Sequence, residues 1–362
     1  MNRKISYAEA LREAQAYCLE VDPNVYLMGL GAPDPKGIFG STLGLQERFG
    51  EQRVFDIPLS ENAITGVALG SAITGMRPIL THQRVDFALV SLEQIVNQAA
   101  KWHYMFGGTM SVPIVIRMII GRGWGQGPQH SQSLHAWFAH IPGLKVILPT
   151  TPYDAKGMLI AAIEDNNPVI CLEHRWLYGL TDEVPTEDYR VSLESSRVMR
   201  QGSDVTLIGV SYMALECLRA AALLEEVGVS AEVIDVRTVR PLGQKTLIES
   251  VQKTHHALIV DHGHIFAGIS AEIAATVNES LFQSLAAPTI RLGLPDYPTP
   301  TSPALSDQYY PQAYQIGNRV LEMVGKPETL TPGNEKRRLD QPDSTFNHIT
   351  FRQPSYMLSG SV

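Results

Sequence analysis

Cysteine is scarce in this chain: Cys18, Cys171 and Cys217 are the three among 362 residues, and they form no C-x-x-C pair. That excludes a disulfide framework or a zinc ribbon and points to reduced thiols in or near cores. Long apolar runs are missing too, so no segment reads as a bilayer span. The opening Met1-Asn2-Arg3-Lys4-Ile5-Ser6 reads as the start of a mixed polar helix and not as a signal peptide. A cytoplasmic protein is the expectation. Basic residues are dispersed, none of their runs alternates with aromatics, and the formal charge is −8. Neither a nucleic acid nor a membrane is therefore an expected partner. There is no G-x-x-x-x-G-K-[ST] and no G-x-S-x-G elbow. Gly121-Arg122-Gly123-Trp124-Gly125 is glycine-rich but lacks the dinucleotide-binding spacing.

What is there is ordinary globular material, with 44% apolar and 18% charged residues, enough for two cores. Short apolar runs alternate with helical patterns. Val25–Met28, Pro78–His82, Val112–Ile120, Leu144–Leu148 and Val169–Leu172 read as buried strands. Ser6–Leu19, Asn62–Gly75, Ala88–His103 and Tyr153–Glu164 read as helices. A polar stretch around Pro185–Gln201 reads as a linker. A second series follows, with strands at Val205–Val210, Ala231–Val236, Ala257–Val260 and Thr289–Leu292. The predicted fold class is α/β, with two doubly wound, mostly parallel-sheet domains. The first covers residues 1–190, the second 200–325, and a polar tail 326–362.

Glu61 follows a strand-like run and Pro58, with Ser60 as a plausible helix N-cap. Read locally, a Glu in a first helical turn is also simply favoured by the helix dipole. Gly66 and Gly70 on the next helix permit close approach of a backbone or a flat ligand. His130, in Gln129-His130-Ser131-Gln132-Ser133, follows the glycine-rich loop. A helix after it would set its imidazole at a helix N-terminus, facing an anion. His135 and His140 lie near it but bring no acidic or Cys ligand at metal-site spacing. His255, His256, His262 and His264 read as a solvated loop after a strand. Asp165-Asn166-Asn167-Pro168 reads as a turn whose carbonyls could hold a monovalent cation.

Several stretches in one order resemble the beta subunits of pyruvate and branched-chain 2-oxoacid dehydrogenases, in the transketolase-like group. They are Arg53-Val54-Phe55-Asp56-Ile57-Pro58-Leu59-Ser60-Glu61, Gln129-His130-Ser131-Gln132-Ser133, Pro142-Gly143-Leu144-Lys145-Val146, Pro152-Tyr153-Asp154-Ala155-Lys156-Gly157 and Asp235-Val236-Arg237-Thr238-Val239-Arg240-Pro241. Asp165-Asn166-Asn167-Pro168 and Leu172-Glu173-His174 complete the set, and the resemblance covers about residues 5–325. It implies a pyrimidine-binding domain followed by a transketolase C-terminal-like domain. It implies thiamine diphosphate bound between this chain and an alpha partner in an α2β2 heterotetramer. Mg2+ and the diphosphate would be held mainly by that partner, which accounts for the missing Gly-Asp-Gly triplet. Glu61 matches the carboxylate that bonds the aminopyrimidine, and Leu59, Gln83 and Phe87 match positions lining its pocket. His130 matches a histidine near the reacting carbon, linked to acyl transfer onto a lipoyl group. Ile114, Ala162, Ile163, Asp165 and Asn167 match a structural potassium site. The implied activity is decarboxylation of a 2-oxoacid such as pyruvate, with the acyl group passed to a lipoyl acyltransferase component.

The sequence departs from the family pattern at three places within 5–325, and its C-terminal tail is longer than usual. Gly29-Leu30-Gly31-Ala32-Pro33-Asp34 lacks the usual acidic pair, His135 stands where many members have Glu, and Met118-Ile119-Ile120 replaces a Gly-Pro pair. These keep open acyloin or ketol transfer to an aldehyde or sugar phosphate, as in split transketolases. A non-catalytic scaffold subunit is the remaining alternative.

Overall fold

The structure is a computed structural model that describes residues 2–34 and 36–332. The expected polar tail therefore lies outside the described residues from position 333 onward. The strands are β1 (Asn2–Ser6), β2 (Val25–Gly29), β3 (Val54–Phe55), β4 (Arg77–His82), β5 (Val115–Ile120), β6 (Lys145–Ile147), β7 (Val169–His174) and β8 (Thr181–Pro185). They continue as β9 (Arg197–Arg200), β10 (Val205–Gly209), β11 (Ala231–Asp235), β12 (Thr238–Arg240), β13 (Ala257–His264) and β14 (Ile290–Leu294). The helices are α1 (Tyr7–Val21), α2 (Leu45–Phe49), α3 (Glu61–Ile73), α4 (Ala100–Met105), α5 (His135–Ala139) and α6 (Pro152–Glu164). After them come α7 (Tyr212–Glu226), α8 (Gln244–Thr254), α9 (Ile269–Leu281), α10 (Pro303–Tyr309) and α11 (Ala313–Met323).

Among the described residues, one sheet runs β12-β6-β7-β5-β4-β2-β3 and a second runs β14-β13-β10-β11-β9. Both are parallel except at one edge, where β12 and β9 pair antiparallel to their neighbours. The α/β class with doubly wound, mostly parallel sheets is thus as expected. Val115, Ile116, Met118, Ile119 and Ile120 are all buried, because helices cover both faces of β5. Each such side chain contributes about 1.5–3 kcal/mol by leaving water.

Local signals set the helix starts. Ser6 accepts from the Glu9 amide at 3.2 Å while Glu9 accepts from the Ser6 amide at 2.8 Å, a capping box at α1. Thr151 Oγ1 accepts from the Asp154 amide at 3.1 Å, with Pro152 opening α6. The chain start differs from expectation. Residues Asn2–Ser6 form a strand on β8, because the extended backbone there meets the edge left by Thr181–Pro185. The segment expected as one helix over 88–103 is wound unevenly, as a 3-10 turn Phe87–Ser91, a π segment Glu93–Ala99 and then α4.

A fully buried ion pair lies where the central strands meet α1. Arg117 on β5 donates to both oxygens of Glu173 on β7, at 2.6 and 2.9 Å. It also donates to Gln15 on α1 at 2.7 Å and to Ser41 at 3.1 Å. Burial opposes its charge, yet Glu173 overrides this and raises its pKa above the usual arginine value.

The two sheets are joined by polar contacts and by a shared strand. Although β12 follows β11 of the second sheet, it adds to β6 of the first. Asp154 on α6 accepts from Arg197 and Arg237, and Thr150 donates to Asp235 at 2.8 Å. Burial first, then the Asp154 charge, push the Asp235 carboxyl up to about 8. Farther along this seam, His135 Nε2 lies 3.0 Å from Asp261 Oδ1 and stacks on His262 at 4.8 Å. His262 meets His174 edge-on at 5.0 Å, and its Nδ1 lies 3.2 Å from the Val210 carbonyl. The solvated-loop reading fails for His262: β13 runs on to His264 and carries it wholly inside. Burial and the neighbouring His135 push its pKa down to about 3. Burial raises the Asp261 carboxyl, but His135 outweighs that and holds it at about 2.

Two measurements test these contacts. Glu173→Gln leaves Arg117 uncompensated and is expected to destabilise the chain by about 3–5 kcal/mol in urea denaturation; an unmoved midpoint would remove the pair from the core's support. For His262, the unfolded chain takes up a proton below its ordinary pKa of 6.5, which the folded chain refuses until about 3. Stability should therefore fall as pH drops from 7 to 5, with this residue contributing about 2 kcal/mol at pH 5. His262→Gln should flatten that slope, and an unchanged slope would assign it elsewhere.

Candidate active site

In parallel sheets, clefts open beyond the carboxyl ends of the strands. Here Leu30–Gly31 after β2, Gln83–Phe87 after β4 and the 121–132 loop after β5 meet at that edge. Leu30, Ile57, Pro58, Glu61, Thr81, His82, Gln83 and Phe87 line a narrow cleft. The fold thus brings Glu61, at the start of α3, against Gln83 and Phe87, which follow β4.

Glu61 is the first residue of α3 and is half-buried. Ser60 occupies the N-cap position, as expected, but makes no side-chain cap bond. Leu59 stands at the rim with 76% of its surface exposed. Gln83 Nε2 donates to the Leu30 carbonyl at 3.1 Å. Gly31 makes room for it: its φ is +74°, and a Cβ there would lie 3.1 Å from Gln83 Nε2. The Gly31 amide is held by Asp56 Oδ1 at 2.9 Å. The departure from the acidic pattern at this turn is thus matched by a glutamine seated over a glycine.

His130 ends a 3-10 turn, Pro128–His130, and its ring meets the Phe87 ring edge-on at 5.3 Å. The expectation that it opens a helix is not met. Residues 131–134 intervene and α5 begins at His135, so its partner is an aromatic face and not a helix N-terminus. The loop before it is closed at its base, where the Gly121 amide donates to the Gln132 carbonyl at 3.1 Å. Gln132 in turn donates to Asp86 at 2.8 Å.

Thr81 and His82 escaped the sequence reading. Thr81 Oγ1 and His82 Nε2 are buried and have no hydrogen-bond partner among the described residues. Burial pushes the His82 imidazole down to about 4, so it is neutral at pH 7. Their position at the carboxyl end of β4 was the available signal. A neutral ring nitrogen, an unpaired hydroxyl, a carboxylate and an aromatic face suit a flat heterocycle with polar edges. The residues present therefore fit an aminopyrimidine.

The residues expected around a potassium ion gather at the opposite edge, where α6 turns into β7. The Ile114 carbonyl accepts from the Val169 amide at 2.9 Å, and the Ala162 carbonyl from the Asp165 amide at 3.3 Å. Arg77 donates to the carbonyls of Ile163 at 3.0 Å and Asp165 at 3.1 Å. Asp165 also receives Lys145 at 2.6 Å and the Asn167 amide at 2.8 Å. Burial raises its pKa, but these bonds prevail and hold it below the usual carboxylate range. Among the described residues, no group of three His, Cys, Asp or Glu could hold a metal ion.

Comparison with known proteins extends these observations. Residues 3–181 match the transketolase pyrimidine-binding domain and residues 194–316 the transketolase C-terminal domain. The acetoin:2,6-dichlorophenolindophenol oxidoreductase subunit beta of Bacillus subtilis is 40% identical over 339 residues, covering 90% of this chain and 99% of that one. Its counterpart in Cupriavidus necator is 43% identical over 326 residues, with 87% and 96% covered. The pyruvate dehydrogenase E1 component subunit beta of Porphyra purpurea is 40% identical over 328 residues, with 91% and 99% covered. A solved split-gene transketolase, described as an inactive beta4 tetramer, superposes with a TM-score of 0.71 at 21% identity, covering 90% of this chain and 99% of that one. Transketolase from Leishmania mexicana gives 0.65 at 14% identity, covering 92% and 47%. No helix among the described residues is long and apolar enough to cross a membrane. With both domain matches and these relatives, the chain belongs to the transketolase-like family that includes the beta subunits of the pyruvate dehydrogenase E1 component and of acetoin oxidoreductase.

Proposed function

We propose that this chain is the beta subunit of a thiamine-diphosphate-dependent 2-oxoacid dehydrogenase, completed by an alpha subunit in an α2β2 assembly. The observation that carries this is the Glu61 carboxylate opening α3 in the same cleft as the Phe87 ring. When bound, thiamine diphosphate supplies the nucleophilic carbon and the electron sink that decarboxylation needs. Glu61 would bond the pyrimidine ring nitrogen. Phe87 would offer that ring an aromatic face, and Gln83, fixed by the Leu30 carbonyl, would bound the pocket. Leu59 offers an apolar rim that a bound ring or the partner would cover. Mg2+ and the diphosphate fall mainly to the alpha subunit, in keeping with the "subunit beta" names of the relatives.

His130 sits beside Phe87, half-buried, with its imidazole available to a substrate oxygen. There it gives or takes a proton and steadies developing negative charge. Passing the acyl group to a lipoyl acyltransferase component belongs to this residue. At the far edge, Ile114, Ala162, Ile163, Asp165 and Asn167 would hold a structural K+, beside Arg77, which donates to the Ile163 and Asp165 carbonyls. Three buried free thiols agree with a cytoplasmic setting. The acetoin names of two relatives favour one second reading, an acyloin as the molecule cleaved.

Glu61→Ala, assembled with the alpha subunit, is expected to lose about 10²- to 10⁴-fold in kcat while the complex stays intact by size-exclusion chromatography. Full activity would favour a scaffold subunit instead. Calorimetry should find thiamine diphosphate bound tightly by the complex and poorly by this chain alone. Supplying pyruvate or acetoin with lipoyl-protein and aldehyde acceptors, and weighing the products, separates the readings. Carbon–carbon bond formation without lipoyl acylation would overturn the first.

A further inference from the structure

We infer that Arg84 and Arg175 form an anion subsite beside the Glu61 cleft, so that the substrate carries a second anionic group remote from the bond that breaks. The inference rests on the reading of that cleft as catalytic. Arg84 directly follows Gln83 of the cleft wall, and Arg175 directly follows β7. The two meet at Gly123, where a Cβ would lie 2.7 Å from Arg84 Nη2 and 3.6 Å from Arg175 Cγ.

Neither guanidinium has a carboxylate within ion-pair distance among the described residues. Arg84 is only 3% exposed, yet it donates to neutral groups, the Gly121 carbonyl at 2.7 Å and Gln126 Oε1 at 2.8 Å. Asp86 acts on it through space, but one Asp86 oxygen accepts from Gln132 and the other has no partner. Arg175 lies over three rings, Phe39 at 4.5 Å, Tyr178 at 5.3 Å and Trp124 at 6.0 Å. Its Nε is buried without a hydrogen-bond partner. Burial depresses both pKa values, and the Arg175 charge lowers that of Arg84 further. Unpaired buried charge costs several kcal/mol. A bound carboxylate or phosphate removes that cost, and a guanidinium held flat by aromatic faces presents the fork that binds such a group bidentately. Arg122 on the same loop donates to the Gly123 carbonyl at 3.3 Å and to the Thr301 carbonyl at 3.1 Å.

Gln126, which holds Arg84, lies four residues before His130 on the loop that the Gly121–Gln132 bond closes at its base. The anion bound here is a group the substrate keeps. A guanidinium pair clamping the carboxylate that leaves as carbon dioxide would stabilise the ground state more than the transition state and slow the reaction.

The test uses the assembled αβ holoenzyme. Paired 2-oxoacids of equal length, ending in a carboxylate or a methyl group, form one arm. Phosphorylated and unphosphorylated aldehyde acceptors form the other. A preference of at least tenfold in kcat/KM is expected in one arm, carried by KM, and the arm in which it appears names the group. Arg175→Gln should abolish that preference, and Arg175→Lys should restore part of it. Independently of turnover, glutarate or inorganic phosphate should saturably change Trp124 fluorescence, with affinity at least tenfold weaker in Arg175→Gln. A holoenzyme that turned over nothing but still bound these anions would sink the catalytic reading and leave the subsite standing. No preference in either arm together with no saturable anion response would overturn the subsite, as would a preference that survives in Arg175→Gln. A response seen only without the alpha subunit would also overturn it, by assigning the pair to an acidic side chain of that partner.

Discussion

The buried Arg117–Glu173 pair fixes the edge on which the site is built. Its partners come from β5, β7, α1 and the loop at Ser41, and Tyr178 Oη adds a donor to Glu173. Two guanidinium nitrogens facing two carboxylate oxygens leave little freedom of register between neighbouring strands. The loops that begin just past those strands, one carrying His130 and the other Arg175, therefore start from fixed points. Gly121 reinforces this, because a Cβ there would strike the His174 ring at 2.3 Å. The loop can close against the β7 end only with glycine at its first position.

Much of this architecture was legible in the residues. Strands buried on both faces announce themselves as unbroken apolar runs, so β4, β5, β7, β10 and β13 were readable. Edge strands are read less evenly, since one side pairs with nothing and the sequence stays mixed: β3 and β14 showed, while others did not. That is why β1, β9 and β12, with burial that is partial or interrupted, went unread. The helices α10 and α11 followed a stretch rich in Pro and Ser that masked them. Strand β13 was expected to stop at Val260, because Asp261 and His262 look like loop residues until His135 is placed against them.

The site was legible through resemblance more than through chemistry. Glu61, Gln83, Phe87 and His130 converge, yet nothing local joins position 61 to position 130; only the sheet order does. His82 and Thr81 were hidden for a related reason. A polar residue at a strand end reads as solvated, and its isolation from water appears only once neighbouring strands and α3 close over it. The potassium set shows the reverse. Its residues are brought together by a short turn, but Arg77, distant in sequence, is what satisfies two of its carbonyls.

Strand β12 leaves the second sheet to complete the first. If the polypeptide were severed between residues 186 and 196, the front half would keep β6 with a bare row of amides and carbonyls. Such a half would seek another strand, from a neighbour or from itself. The two halves of this molecule are thus not modules that a gene could hand out separately, even though each sheet has its own interior.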